Sequence, residues 1–396
     1  MSEGHRIIPI SPATFRRRAA LPQGAENSQI ATTASGQHGP AHTDSATVSG
    51  MPPLDQLGRP LRDLRISVID QCNFRCGYCM PKEVFHKDYV FLSRDELLSF
   101  DEILRLARVF VALGVEKLRI TGGEPLLRKG LEELIKALAQ LRTPAGSPVE
   151  IALTTNGVLL AQKAAALRAA GLDRITVSLD ALTPALFRRM SGIEESDPAT
   201  VLRGIDAAHQ AGLGVKVNMV VQKGVNDGEI LPMAMLFRDR GQTVRFIEFM
   251  DVGNSNDWSH DQVLASNEIV ARIHEQFPLT PVGRSTPNEV SERWRYKDRP
   301  VEIGVISSVS KPFCGNCSRA RISSEGLLYT CLFATSGYDL RQAVRAEPND
   351  ETLTRVIQGI WGQREDRYSE IRDAVLQQKK DRPQARAKIE MSYIGG

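Results

Sequence analysis

The chain has 396 residues, 42% of them hydrophobic, and carries 50 Lys and Arg against 47 Asp and Glu, a net charge of +3 at pH 7. So even a charge balance argues against bulk binding of nucleic acid or of an acidic membrane surface, and no apolar run approaches the roughly eighteen residues of a membrane span. Six cysteines fall in two groups of three, too clustered for a spread disulfide framework, which points to metal binding in a reducing compartment.

Residues 1–50 are dominated by Ser, Thr, Ala, Gly, Gln and His, with Arg16-Arg17-Arg18 as the charge run. That composition predicts a disordered extension. It holds no secretory h-region, and its arginines leave a mitochondrial transit peptide as the alternative to a cytoplasmic protein.

The first predicted strand, Leu64–Asp70, runs directly into Cys72-Asn73-Phe74-Arg75-Cys76-Gly77-Tyr78-Cys79. A Cys-x3-Cys-x2-Cys loop offers three thiolates where a closed zinc or iron–sulfur site takes four ligands, so one metal position stays open for chemistry. The plain alternative is a structural zinc loop with His86 as fourth ligand, but no second histidine stands at finger spacing. The spacing resembles the signature of the radical S-adenosylmethionine (SAM) family. The resemblance implies a [4Fe–4S] cluster on Cys72, Cys76 and Cys79, with SAM on its open iron, and Tyr78 matches the aromatic usual before the last cysteine.

Further strands are predicted at Lys117–Thr121, Glu150–Thr155, Arg174–Asp180, Val215–Val221 and Val244–Met250. Helical periodicity falls between them at Arg94–Leu113, Leu131–Leu141, Gln162–Ala170, Pro184–Met190, Ala199–Ala211 and Glu229–Arg240. Ser93 with Glu96 reads as a capping box, Gly114 as a C′ residue, and Thr183-Pro184 and Asp197-Pro198 as caps before an N1 proline. Six β-then-α units require a parallel sheet, either doubly wound or a barrel. The motifs gather at strand ends, as in a barrel: the cysteine loop, Gly122-Gly123-Glu124-Pro125, Thr155-Asn156-Gly157, Ser178-Leu179-Asp180, Lys216–Asn218 and Glu248–Met250. The radical SAM resemblance selects an α/β fold with a partial (β/α)6 TIM-type barrel, followed by a C-terminal extension carrying a second iron–sulfur cluster. It also implies that Gly123, where a missing Cβ permits close backbone approach, Ser178, Met250 and Tyr78 bind SAM.

The second group, Cys314-Gly315-Asn316-Cys317 with Cys331, again lacks a fourth cysteine. Ser318-Arg319-Ala320-Arg321 follows its first arm, and on an extended segment Arg319 and Arg321 face one side, where planar guanidinium forks suit phosphate oxygens. These segments, with Phe246–Asn254 and the terminal Met391–Gly396, closely resemble the GTP 3′,8-cyclase family of molybdenum cofactor biosynthesis over about residues 58–396.

That resemblance implies a lyase that uses SAM, a reductant and two [4Fe–4S] clusters to remove the ribose 3′ hydrogen of GTP and close the sugar carbon onto guanine C8. Cys314, Cys317 and Cys331 would hold the second cluster, whose open iron takes the guanine edge. Arg65, Arg119, Thr154, Lys216, Arg319 and Arg321 match GTP-binding positions, four arginines and a lysine expected to converge on one barrel rim. Gly395 and Gly396 match a tail that enters the active site. An electron donor of flavodoxin or ferredoxin type and a downstream cyclic pyranopterin monophosphate synthase are the implied partners, and the oligomeric state, a homodimer included, stays open. The expected organisation is 1–50 extension, 58–255 barrel and 256–396 cluster-bearing region. A different two-cluster radical SAM enzyme, such as a peptide modifier, and a non-enzymatic zinc protein binding nucleic acid are the rival classes.

Overall fold

The computed structural model describes residues 18–19, 52–346, 348–381 and 387–395, so the disordered extension expected at 1–50 lies outside the described residues apart from Arg18 and Ala19. The two-residue β1 (Arg18–Ala19) precedes six strand-then-helix repeats. Their strands are β2 (Asp63–Ser67), β3 (Lys117–Thr121), β4 (Glu150–Thr155), β5 (Arg174–Ser178), β6 (Gly214–Val221) and β7 (Thr243–Glu248). The helices are α1 (Phe100–Ala112), α2 (Leu131–Leu138), α3 (Leu160–Ala169), α4 (Pro184–Ser191), α5 (Pro198–Gln210), α6 (Ile230–Asp239) and α7 (Ser266–Gln276).

Helix α1 shows why these segments fold as they do. Ile103, Leu106, Ala107 and Phe110 recur at helical spacing and are all buried, each large side chain contributing about 1.5–3 kcal/mol. Its start is fixed by Ser99, whose hydroxyl accepts from Glu102 N–H at 3.1 Å while the Glu102 carboxylate accepts from Ser99 N–H at 2.7 Å, a capping box worth about 1 kcal/mol. The helix was expected from Arg94, on the Ser93–Glu96 pair. Those two residues do bond, at 2.9 Å, but they close a turn only. Leu98 N–H goes to the Ser324 carbonyl at 2.8 Å, so the segment before Ser99 is tied to the C-terminal region instead of entering the helix. The other expected elements lie where periodicity placed them, with ends shifted by up to three residues.

The C-terminal region adds β8 (Leu279–Gly283), β9 (Glu292–Tyr296), β10 (Glu302–Ile306), β11 (Arg319–Ile322), β12 (Leu327–Tyr329) and β13 (Gly337–Asp339), then α8 (Leu340–Ala346), α9 (Asp350–Gly362), α10 (Tyr368–Asp381) and α11 (Met391–Ile394). The described strands form one sheet in the order β1-β13-β12-β11-β2-β3-β4-β5-β6-β7-β10-β9-β8. From β11 through β10 neighbouring strands are parallel. The extension therefore supplies a parallel strand on each flank of the six expected. The barrel stays open, ending at β1 and β8.

Candidate active site

Along each central strand the period of two sorts residues by chemistry. In β7 the buried Val244 and Phe246 alternate with Thr243, Arg245 and Ile247, which line a central cavity. The same alternation sends Asp63 and Arg65 of β2, Lys117 and Arg119 of β3, Thr176 of β5, and Lys216 and Asn218 of β6 to the cavity. A barrel interior is normally packed with branched apolar side chains; this one admits charged and hydroxyl side chains and holds about 1140 Å³.

Its charge is unbalanced in a specific place. Arg321 pairs in register with Arg65, and Arg65 with Arg119, so three guanidiniums stand side by side on adjacent parallel strands. Like charges directly opposite destabilise a sheet unless an anion joins them. Burial and then the neighbouring arginines Arg321, Arg119 and Arg319 hold Arg65 well below its ordinary value. Burial and Arg319 bring Arg321 down to about 10, and its Nε is buried without a hydrogen-bond partner among the described residues. Burial, with Arg119 and Arg174, brings Arg245 down to about 9, and burial with Arg245 and Arg174 brings Lys216 down to about 8. Among the described residues Arg245 bonds neutral acceptors, Asn218 Oδ1 at 2.8 Å and Thr176 Oγ1 at 3.2 Å. Arg119 likewise reaches Thr154 and Thr176 hydroxyls at 3.2 and 3.3 Å. The arrangement asks for a multiply charged anion.

Cys314, Cys317 and Cys331 line the same cavity. Burial raises the Cys317 thiol, but the Arg319 and Arg364 guanidiniums outweigh it and bring it down to about 6, favouring the thiolate that binds metal. Arg319 Nη2 donates to Cys317 Sγ at 3.3 Å and Phe333 N–H to Cys331 Sγ at 3.4 Å. Cys331 itself is pushed up to about 12, first by burial.

The first trio sits past the C-terminal end of β2. Arg75 fixes the loop by donating to the Cys72 and Phe85 carbonyls at 2.7 and 2.8 Å. Phe74 N–H reaches Cys72 Sγ at 3.3 Å and Asn156 Nδ2 stands 3.9 Å from it. Burial raises all three thiols, Cys72 to about 11. Gly122-Gly123 packs against this loop: a Cβ on Gly123 would stand 2.2 Å from the Gln71 carbonyl oxygen. Its glycine is thus demanded by the loop's own backbone as well as by any ligand. Glu124 accepts from Thr155 Oγ1 and Asn156 N–H at 2.7 and 2.8 Å, and burial raises it to about 7. Tyr78 donates to Asp180 at 2.7 Å.

The C-terminal tail reaches the same end of the barrel. Glu390 accepts from Asn254 N–H at 2.8 Å and Ser255 Oγ at 2.9 Å, and Lys388 pairs with Asp251 at 2.6 Å. Gly395 is buried at φ +66 against Thr121, the last residue of β3. Gly396 lies outside the described residues.

Arg65, Arg119, Thr154, Lys216, Arg319 and Arg321 share the cavity, with Met250 and Met391, yet it extends down the barrel interior to Lys117, Glu150 and Arg174 near the strand starts instead of lying on the C-terminal rim. Tyr78, Gly123 and Ser178 do not line it. Arg245 and Thr176 were missed, although a charged residue in the alternating run of β7 was a readable sign of a lumen lined by polar groups.

An open parallel barrel with three thiols past its first central strand defines the class, and the sequence model of the Radical SAM superfamily matches residues 66–237. The model of Molybdenum Cofactor Synthesis C matches residues 242–370. Among solved structures, Streptococcus suis SuiB bound to S-adenosylmethionine shares the fold, with a TM-score of 0.53 at 14% identity over 75% of this chain and 66% of that one. The GTP 3′,8-cyclase of Xanthomonas campestris pv. campestris is 51% identical, with 88% of this chain and 99% of that protein covered. That of Acidothermus cellulolyticus is 48% identical, covering 87% and 99%. The chain belongs to the GTP 3′,8-cyclase family.

SAM and two [4Fe–4S] clusters are the cofactors of this family, and the donor set fits. All six cysteines are free, and sulfur atoms in both loops receive N–H donors, as cluster thiolates require. Among the described residues no three His, Cys, Asp or Glu side chains close on one bare ion; in a cubane each thiolate takes its own iron.

Proposed function

We propose that this enzyme converts GTP to (8S)-3′,8-cyclo-7,8-dihydroguanosine 5′-triphosphate, the first step of molybdenum cofactor biosynthesis. The observation that carries the reading is the row Arg321–Arg65–Arg119 in the cavity that also holds Cys314, Cys317 and Cys331. A triphosphate brings about four negative charges to that row.

Arg65, Arg119, Arg319, Arg321 and Lys216, with Thr154, hold the phosphates, and Arg245 adds a cation not foreseen from sequence. Cys72, Cys76 and Cys79 would hold the first cluster, with SAM against Tyr78, Gly123, Ser178 and Met250. When bound, that cluster with SAM supplies hydrogen abstraction, and the second cluster on Cys314, Cys317 and Cys331 supplies a position for the guanine edge. The chain's own work is orientation and exclusion of water: the strand cations fix the sugar's place, and Gly395 covers the end of β3.

The organisation we propose is a barrel at 58–255 and a cluster-bearing region at 256–396 that shares its sheet. An electron donor of flavodoxin or ferredoxin type supplies the reductant, and the product passes to a cyclic pyranopterin monophosphate synthase. Reduced thiols and the bacterial origin of the relatives support a cytoplasmic setting. Anaerobic incubation of reconstituted enzyme with SAM, reductant and GTP tests the reaction. One 5′-deoxyadenosine per cyclised nucleotide is expected; SAM cleavage indifferent to GTP, with no nucleotide product, overturns it.

A further inference from the structure

The segment ahead of the barrel is tied to the second cysteine trio by buried charge. Asp55, Arg59 and Arg364 are 6%, 2% and 4% exposed. Asp55 Oδ2 accepts from Arg59 Nε at 2.6 Å and from Arg364 Nη1 at 2.9 Å. Each arginine then reaches the cluster loops. Arg59 Nη1 donates to the Cys314 carbonyl at 2.9 Å and the Asp366 carbonyl at 2.8 Å. Arg364 donates to the Cys317 carbonyl at 2.8 Å and to the carbonyl of Thr330, next to Cys331, at 3.1 Å.

Every cysteine of the trio therefore has its own or its neighbour's peptide oriented by one of two guanidiniums locked on a single carboxylate. Peptide orientation sets the direction of Cα–Cβ, and hence of the sulfur. The forks are themselves held: Arg364 stacks 4.6 Å from the Trp361 ring centroid, and Trp361 Nε1 donates to the Arg59 carbonyl at 3.1 Å. Arg59 Nη2 is buried with no hydrogen-bond partner among the described residues, although Arg59 and Arg364 both line the cavity. A spare guanidinium N–H beside Cys314 matches an anionic sulfur cluster and is costly without one.

We propose that Asp55, Arg59 and Arg364 are positioning residues for the second cluster, a clamp that pre-shapes its three ligands and balances their charge. The proposal rests on the two-cluster reading. Supporting groups of this kind typically change metal affinity about 10–100-fold.

The test uses anaerobically reconstituted full-length enzyme, wild type, Arg364→Gln, Arg59→Gln and the milder Arg59→Lys. Iron release to a ferrous chelator is followed in time, electron paramagnetic resonance separates the two clusters, and SAM cleavage reports the first. The clamp predicts that the Gln variants lose the second cluster at least about ten-fold faster, Arg59→Lys falling between, while the first cluster and the slow SAM cleavage measured without GTP keep wild-type values. Loss of the second cluster at the wild-type rate overturns the proposal, as does parallel loss of both clusters, which would mark a general fold defect. Wild-type enzyme holding only about four irons would instead overturn the two-cluster reading.

Discussion

A Cβ on Gly395 would stand 2.0 Å from Thr121 Oγ1. The penultimate residue of the chain is therefore sealed against the end of β3, two residues before Gly123, at a contact that only glycine satisfies. Gly395→Ala should lower cyclisation at least about a hundred-fold while costing about 1–2 kcal/mol of stability, the range for a strained positive-φ alanine. Thr121→Ala in the same chain removes the clashing oxygen and should restore part of the rate. Wild-type turnover in the single variant contradicts this placement.

Gly253 plays the matching part for Glu390. With φ +67, it leaves the space that the Glu390 carboxylate fills, and a Cβ would lie 2.1 Å from Glu390 Oε2. Gly253→Ala should release the tail, raising hydrogen exchange over residues 387–395 and giving the kinetic phenotype of a chain lacking Gly395 and Gly396. Unchanged exchange would show that the tail does not depend on this cradle.

Arg321→Ala removes one member of the three-arginine row. A charge-assisted contact contributes about 1.5–3 kcal/mol, so Kd for GTP should rise roughly ten- to a hundred-fold, with SAM affinity unchanged. Equilibrium binding of both ligands checks the split. Equal GTP affinity would remove Arg321 from the site.

Lys216 gives the site a pH dependence. Burial with Arg245 and Arg174 brings it to about 8, so it is charged below that pH and neutral above it. Anion binding needs the charged form; kcat/KM for GTP should fall as pH rises through about 8, since this profile reports the free enzyme. Lys216→Arg stays charged and should flatten the alkaline limb. A wild-type profile level to pH 9 contradicts the assignment.

The repeats that build the barrel were legible because each strand carries its own apolar alternation and each helix its own face. Phe246 and Arg245 declare their sides without reference to any other element. What escaped was non-local. β11 lies beside β2 across more than 250 residues, and no local pattern records that neighbour. Ser93 and Glu96 misled because they form the pair that caps helices, in a segment whose Leu98 amide is claimed by Ser324. The cysteine spacings showed the ligands, but the Asp55–Arg59–Arg364 clamp joins the residues just ahead of β2 to the chain's last third, visible only once folded.

The central claim is that GTP lies in the arginine-lined lumen with its ribose facing the SAM end of the barrel. The most direct test is anaerobic turnover with GTP deuterated at the ribose 3′ carbon, followed by mass analysis of the 5′-deoxyadenosine formed. The account predicts one deuterium transferred in the wild type and a loss of that transfer in Cys317→Ala, whose first cluster is intact. Unlabelled 5′-deoxyadenosine from the wild type, formed at the same rate without GTP, would contradict it.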